Sequence, residues 1–206
     1  MTISQYLKRF PSNIPVNVLG PFHRSGTLAE PVLFIDRGAV NRIEREGVSV
    51  GDGDSSALPM DIPLDPDKDC SDLAFALDGI PERFTEVRLY GFLGGRRDHE
   101  YFNLGAAHRF LERRSQPSVI RFEERIVGYT SGTWSFRRHG LFSIAALRTA
   151  RLTLQGACRY PCREGTAFGV LDSLGLSNEG SGDIHLENEG PVFVIFENEP
   201  GSPVAD

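Results

Sequence analysis

Apolar and polar positions change their rhythm partway along the chain. In the first half, short runs of consecutive apolar residues alternate with stretches that repeat every three to four positions, the signature of βαβ units and a mostly parallel sheet. The segments "VNVLG" (16–20) and "PVLFID" (31–36) predict strands, and "GAVNRIEREG" (38–47) predicts a short helix closed by Gly47. "VSVGDGDS" (48–55) reads as a strand running into a glycine-aspartate turn. Leu73, Ala76, Leu77 and Ile80 fall at i, i+3, i+4 and i+7, which predicts a helix over about 71–80. Asp69 and Ser71 suit the N-cap of that helix, and Asp72 suits its first turn. "EVRLYGF" (86–92) is a further strand, followed by a Gly94-Gly95 turn that opens a helix of some four turns.

After about residue 117 the pattern becomes short alternating segments between turn signals: "SVIRFEE", "RIVGYTSG", "GTWSFRRHG", "LFSIAAL", "ARLTLQGACRYP", "GDIHLENEG" and "PVFVIFEN". Such spacing predicts an all-β module. The expected organisation is an α/β domain over 1–116 and a β domain over 117–206, divided near Gln116-Pro117. The tail "EPGSPVAD" has no apolar periodicity and is expected to fray.

Bulk properties narrow the function classes. With 206 residues, 40% of them hydrophobic, the chain has enough apolar side chain for a real core. A net charge of −6 and a pI near 5.4 argue against a general nucleic-acid binder, which needs clustered cationic surplus. No apolar run has the length of a signal-peptide core or a membrane span, so a cytoplasmic protein without a membrane partner is expected. Three cysteines, Cys70, Cys158 and Cys162, suit a reducing compartment. Cys158 and Cys162 lack the two further ligands of a zinc site.

Charged residues recur at comparable places in the first half. Asp36 ends one strand, Asp52 and Asp54 follow the next, and Lys68, Asp69 and Asp72 lie where a helix begins. Arg96, Arg97 and Asp98 follow a third strand through the Gly-Gly turn. In an open parallel sheet, ligands bind outside the carboxyl ends of the strands, where these residues would converge. Grouped carboxylates suit a hard cation such as Mg²⁺. Glycine lets the backbone approach an anion, a helix N-terminus offers free N–H groups, and arginine adds charge-assisted bonds. A nucleoside triphosphate with Mg²⁺ uses all of these parts. Each also has a plain structural reading: Ser71 and Asp69 as caps, "GDGDSS" as an Asx-rich turn, Gly94-Gly95 as a tight connection. His99 and His108 are expected as surface or capping residues, and no P-loop motif is present.

Taken in order, these segments resemble the thiamine pyrophosphokinase (thiamine diphosphokinase) family. "FIDRGAVNRI", "GDGDSS", "DKDCSDLAFAL" and "GFLGGRRDHEYFNL" are similar to its Asp-Gly-Gly-Ala-Asn, Gly-Asp-x-Asp-Ser, Asp-x-Thr-Asp-Leu and Gly-Gly-Arg-x-Asp-His elements. "LFSIAAL", "LTLQGACRYP" and "LGLSNE" resemble its β-domain signatures, so that coverage runs from about 16 to 196. The resemblance implies an α/β domain binding ATP and Mg²⁺, a C-terminal β-sandwich that binds the acceptor and dimerises, and a homodimer with thiamine between subunits. The implied reaction moves a pyrophosphoryl group from ATP to the thiamine hydroxyl, giving thiamine diphosphate and AMP. Carried over by position, Asp52, Asp54 and Asp72 bind Mg²⁺. Asp36, Lys68, Asp69, Ser71, Arg96, Arg97 and Asp98 surround the nucleotide, and Ser177 and Asn178 contact thiamine. A carboxylate such as Asp69 or Asp98 could take the alcohol proton, a role the sequence leaves unassigned. Arg37 stands for a glycine, Asn41 lies one position late, and Gly53 replaces a bulky residue. The Arg37 and Gly53 departures keep open an inactive nucleotide- or thiamine-sensing homologue, and the short acceptor-side match at "SNE" keeps open another hydroxyalkyl heterocycle as acceptor.

Overall fold

The structure is a computed structural model that describes residues 1–23, 28–44, 46–53 and 59–197, with the side chains of 43 and 44 excepted. Asp54, and the tail expected to fray, lie outside the described residues. Two compact units emerge, Met1–Phe110 and Leu111–Asp206.

The first unit begins with α1 (Ile3–Leu7), whose Thr2 and Gln5 form a capping box. Strands β1 (Val16–Leu19), β2 (Val32–Ile35), β3 (Val48–Gly51), β4 (Ile62–Pro63) and β5 (Glu86–Tyr90) pair in the order β5-β1-β2-β3-β4. Every pair is parallel, with Val18 opposite both Leu33 and Leu89, and Ile35 opposite Val50. All four residues of β1, β2 and β3 are buried, the polar Asn17 and Ser49 among them, which explains why these strands read as short, mainly apolar runs rather than as alternating ones. Helix α2 (Asp72–Asp78) packs on β2 and β3. It buries Leu73, Ala76 and Leu77, and Ile80 beyond its end, as the periodicity predicts. Helix α3 (Arg97–Glu112) follows the Gly-Gly turn.

The expected helix after β2 is a 3-10 helix over Asp36–Glu44. Gly38 brings this backbone against the end of β1, where an added Cβ would lie 2.3 Å from the Leu19 carbonyl oxygen. The β-branched Val40 and Ile43 add little α-propensity.

In the second unit, β6 (Val119–Phe122), β7 (Ile126–Tyr129), β8 (Gly132–Ala145), β9 (Ala150–Cys158), β10 (Cys162–Phe168), β11 (Asn178–Asn188) and β12 (Val192–Phe196) pair antiparallel. Their order is β10-β9-β11-β8-β12-β7-β6. Burial alternates without a break along β11. Its inward Ile184 and Leu186 join Phe142, Ile144, Leu152, Leu154 and Val194 in one core.

These observations correct the expected α/β domain followed by a β-sandwich. The described residues are mostly β, with strand pairing parallel in the first unit and antiparallel in the second, and few helices. One crossover expected as an α-helix is the 3-10 segment. The second unit's seven strands share one hydrogen-bonded order, where a sandwich requires two facing sheets. Gly140 misleads at this point, because it reads as a turn between two strands. It instead sits inside the 14-residue β8 at φ +103, opposite Gly180 of β11. The edge strand β10 is absent from the sequence reading because its exposure does not alternate.

Candidate active site

Parallel strands end on one side of a sheet, and the first unit's acids gather there. Asp36 directly follows β2, Asp52 directly follows β3, and Asp72 is the first residue of α2. Their carboxylates each offer an oxygen within 4.8 Å of the others. Asp36 adopts φ +49, a left-handed conformation that turns the chain sharply out of β2. Gly51 makes the close approach possible: a Cβ there would lie 3.1 Å from Asp36 Cα and 3.3 Å from Asp72 Oδ2.

Lys68 enters this cluster from the loop before α2. Asp65 sets the entry by accepting the Asp67 N–H on its side chain at 2.9 Å and the Lys68 N–H on its carbonyl at 3.2 Å. The Lys68 ammonium then lies 2.8 Å from Asp72 Oδ1 and 3.3 Å from Asp52 Oδ2. Burial alone would lower the pKa of Lys68, but hydrogen bonds and opposite charge from Asp72 and Asp52 outweigh it and hold it above the usual lysine value. Three carboxylates and one ammonium leave a net charge of −2 on the cluster, by formal count at neutral pH.

A cavity of about 390 Å³ opens over these groups, lined by Phe22, Asp36, Asp52, Lys68, Asp72 and Arg96 among others. Ser71 lines it as well and caps α2, its Oγ accepting the Ala74 N–H at 3.2 Å. The N-cap is therefore Ser71, and Asp69 is exposed outside the cavity lining. Arg97 opens α3, exposed and away from the lining. Asp98 is exposed and accepts Arg96 N–H bonds on both carboxylate oxygens. That hydrogen bonding, against slight desolvation, lowers the Asp98 pKa to about 2. The Gly94 N–H is donated to the Glu100 carboxylate, and Gly95 passes the Phe22 ring with no room for a side chain.

Ser177 and Asn178 belong to the second unit, just before and at the start of β11. Ser177 is exposed at φ +56, and its N–H donates to Ser143 Oγ at 3.0 Å. Asn178 is buried and committed to its neighbours: Oδ1 accepts the Tyr160 and Glu179 N–H groups, and Nδ2 donates to the Tyr160 carbonyl.

The departures land at quiet places. Arg37 is exposed, Asn41 donates to the His23 carbonyl at 3.3 Å, and Gly53 takes φ +80 in open space. Sequence reasoning missed Phe22, Phe92 and Asn103 in the cavity wall. Phe22 lies just past the carboxyl end of β1, a position that topology marks as ligand-facing even without a charge. His99 is exposed and lines the cavity, whereas His108, expected at the surface, is buried.

A parallel sheet followed by an antiparallel β unit is a fold this chain shares with solved thiamin pyrophosphokinases. A thiamin pyrophosphokinase family protein from Enterococcus faecalis aligns at TM-score 0.68 and 20% identity, covering 90% of this chain and 100% of its own. The thiamin pyrophosphokinase of Geobacillus thermodenitrificans aligns at TM-score 0.66 and 23% identity, covering 93% and 99%. That of Candida albicans aligns at TM-score 0.63 and 13% identity, covering 92% and 89%. The resemblance read from the sequence is thus supported over nearly the whole chain, at the level of fold. No family model matches the sequence, and no curated protein matches it. Among the described residues, no helix is long and apolar enough to cross a membrane.

Proposed function

We propose that this chain is a thiamine diphosphokinase, which transfers a pyrophosphoryl group from ATP to the thiamine hydroxyl with Mg²⁺ and releases AMP. The observation that carries the reading is the Asp36, Asp52 and Asp72 cluster at the carboxyl ends of parallel strands, in a fold shared with thiamin pyrophosphokinases. The donor set fits the ion. Asp52 and Asp72 supply hard oxygen ligands of the kind Mg²⁺ prefers, with Asp36 beside them, and a dication would cancel the cluster's charge of −2. Asp52 and Asp72 would hold it with Asp54, and Asp36 would face the nucleotide. When bound, Mg²⁺ neutralises phosphate charge that builds up during transfer.

In the reaction, a bond forms between the thiamine hydroxyl oxygen and the β-phosphorus while the bond from that phosphorus to the α–β bridging oxygen breaks. AMP carries off the electron pair, and the hydroxyl proton passes to water. Lys68 and Arg96 offset charge on the phosphates, and Ser71 keeps a hydroxyl at the cavity wall while capping α2. Asp98, whose two carboxylate oxygens both accept from Arg96, would orient that guanidinium toward the phosphates. Asp69 and Arg97 would act from the rim. Ser177, in the second unit, would meet thiamine, with Asn178 holding the neighbouring Tyr160 turn in place and the acceptor site completed across a homodimer.

Pure protein given ATP, Mg²⁺ and thiamine should form AMP and thiamine diphosphate in equal amounts. Release of ADP, or AMP formation only with other hydroxyalkyl acceptors, would overturn the assignment.

A further inference from the structure

Lys68 stands where a first cation would stand. Its ammonium pairs with Asp72 Oδ1 at 2.8 Å and donates to Asp52 Oδ2 at 3.3 Å and to the Asp65 carbonyl at 3.4 Å. The side chains of Lys68, Asp52 and Asp72 are 16%, 16% and 14% exposed, so water screens this pairing far less than it screens a surface pair. The Asp65 turn ties the lysine backbone to the same spot.

We propose that Lys68 is a resident counter-ion that keeps the divalent-metal site weak until nucleotide arrives, so that metal and nucleotide bind as one unit. The proposal rests on reading the crevice as a metal-nucleotide site. A dication entering alone meets the ammonium's charge and competes for Asp52 Oδ2 and Asp72 Oδ1, the oxygens the ammonium already holds. Polyphosphate removes both obstacles, because its oxygens accept from the ammonium and ligate the cation. By linkage, nucleotide must then raise metal affinity by the same factor that metal raises nucleotide affinity. A purely orienting lysine predicts the opposite sign. Holding Asp72 Oδ1 would merely aim Oδ2 past Gly51 toward Asp36, and its removal would weaken metal binding.

The test measures Mn²⁺ binding to the full chain by the paramagnetic resonance of free Mn²⁺, with and without a non-hydrolysable ATP analogue, corrected for cation held by the analogue in solution. Wild type, Lys68→Gln, Lys68→Met and Lys68→Arg are compared, with thermal melts confirming the fold. Without nucleotide, the Gln and Met variants should bind Mn²⁺ at least tenfold more tightly than wild type. Lys68→Arg, which keeps the charge, should remain weak. In wild type the analogue should raise Mn²⁺ affinity at least tenfold, and a smaller coupling overturns the proposal even if both neutral variants fail to fold. Unchanged or weaker Mn²⁺ binding in the neutral variants overturns the counter-ion role while the metal-nucleotide site stands. Wild type that binds no Mn²⁺ even with the analogue overturns both.

Discussion

Replacing Asn178 with alanine should loosen the β9–β10 turn. The Asn178 side chain is 7% exposed, and its amide makes three hydrogen bonds at 2.8 to 3.0 Å, clasping both backbone groups of Tyr160 and the N–H of Glu179. A typical internal hydrogen bond contributes about 1 kcal/mol, so the three together contribute about 3 kcal/mol. Tyr160 has a half-exposed side chain, so water can reach part of what is lost. The expected cost is therefore about 2 kcal/mol. At a urea slope of about 2 kcal/mol per molar, the unfolding midpoint should fall by about 1 M. Trp134 is a convenient probe, since it is the chain's single tryptophan and packs in the second unit against Tyr129 at 4.9 Å. Its fluorescence followed through a urea titration reads this unit directly. A shift below about 0.2 M, with a large rise in the thiamine KM, would refute the reasoning. It would mean that the amide's energy goes to substrate rather than to the turn.

Two other expectations follow from local geometry. Gly51→Ala places a methyl 3.1 Å from Asp36 Cα and 3.3 Å from Asp72 Oδ2, so it should cost about 1 to 2 kcal/mol in a thermal melt and weaken divalent-cation binding as the carboxylates shift apart. Tyr6 should titrate near 12 in an ultraviolet absorbance titration, because burial, aided by the Glu30 carboxylate and opposed by the Val32 N–H, favours the neutral phenol. The unfolded chain loses this proton near 10, so the contribution is fully present below that pH and disappears as pH rises from 10 to 12; Tyr6→Phe should remove that decline.

Much of the first unit was legible because burial on both faces leaves an unmistakable mark. Val16 to Leu19, Val32 to Ile35 and Val48 to Gly51 are fully buried four-residue runs, and the acids that end or follow them are set by topology once the strands are parallel. Asp36, Asp52 and Asp72 could thus be grouped from positions 36, 52 and 72 without coordinates. A helix after β2 was also visible, expected over 38–47 and found over Asp36–Glu44, but its 3-10 winding was not, since it depends on Gly38 meeting the Leu19 carbonyl, a contact far along the chain. The number of sheets in the second unit was illegible for a similar reason. Alternation gives the face of each strand and leaves open which strands pair, and a glycine inside a strand looks like one inside a turn. Asn178 shows the limit on the site side: sequence marks it as polar and near a turn, while only the fold shows its amide spent on Tyr160.

The acidic loop before α2 draws these strands of argument together. Four aspartates at 65, 67, 69 and 72 surround a single lysine, a pattern whose like charges should repel. The structure gives them different tasks. Asp65 folds the loop, Asp67 donates its N–H to it, Asp69 faces solvent, and Asp72 reaches into the crevice. The ammonium is therefore carried to the carboxylates by the same turn that the nearby acid forms, four positions before the acid it pairs with. Asp36 and Asp52 follow β2 and β3 and Asp72 opens α2, and their carboxylate oxygens lie within 4.8 Å of one another, a mutual repulsion that the Lys68 ammonium offsets. With this cation built into the loop, the four groups carry a formal charge of −2, which a dication would cancel.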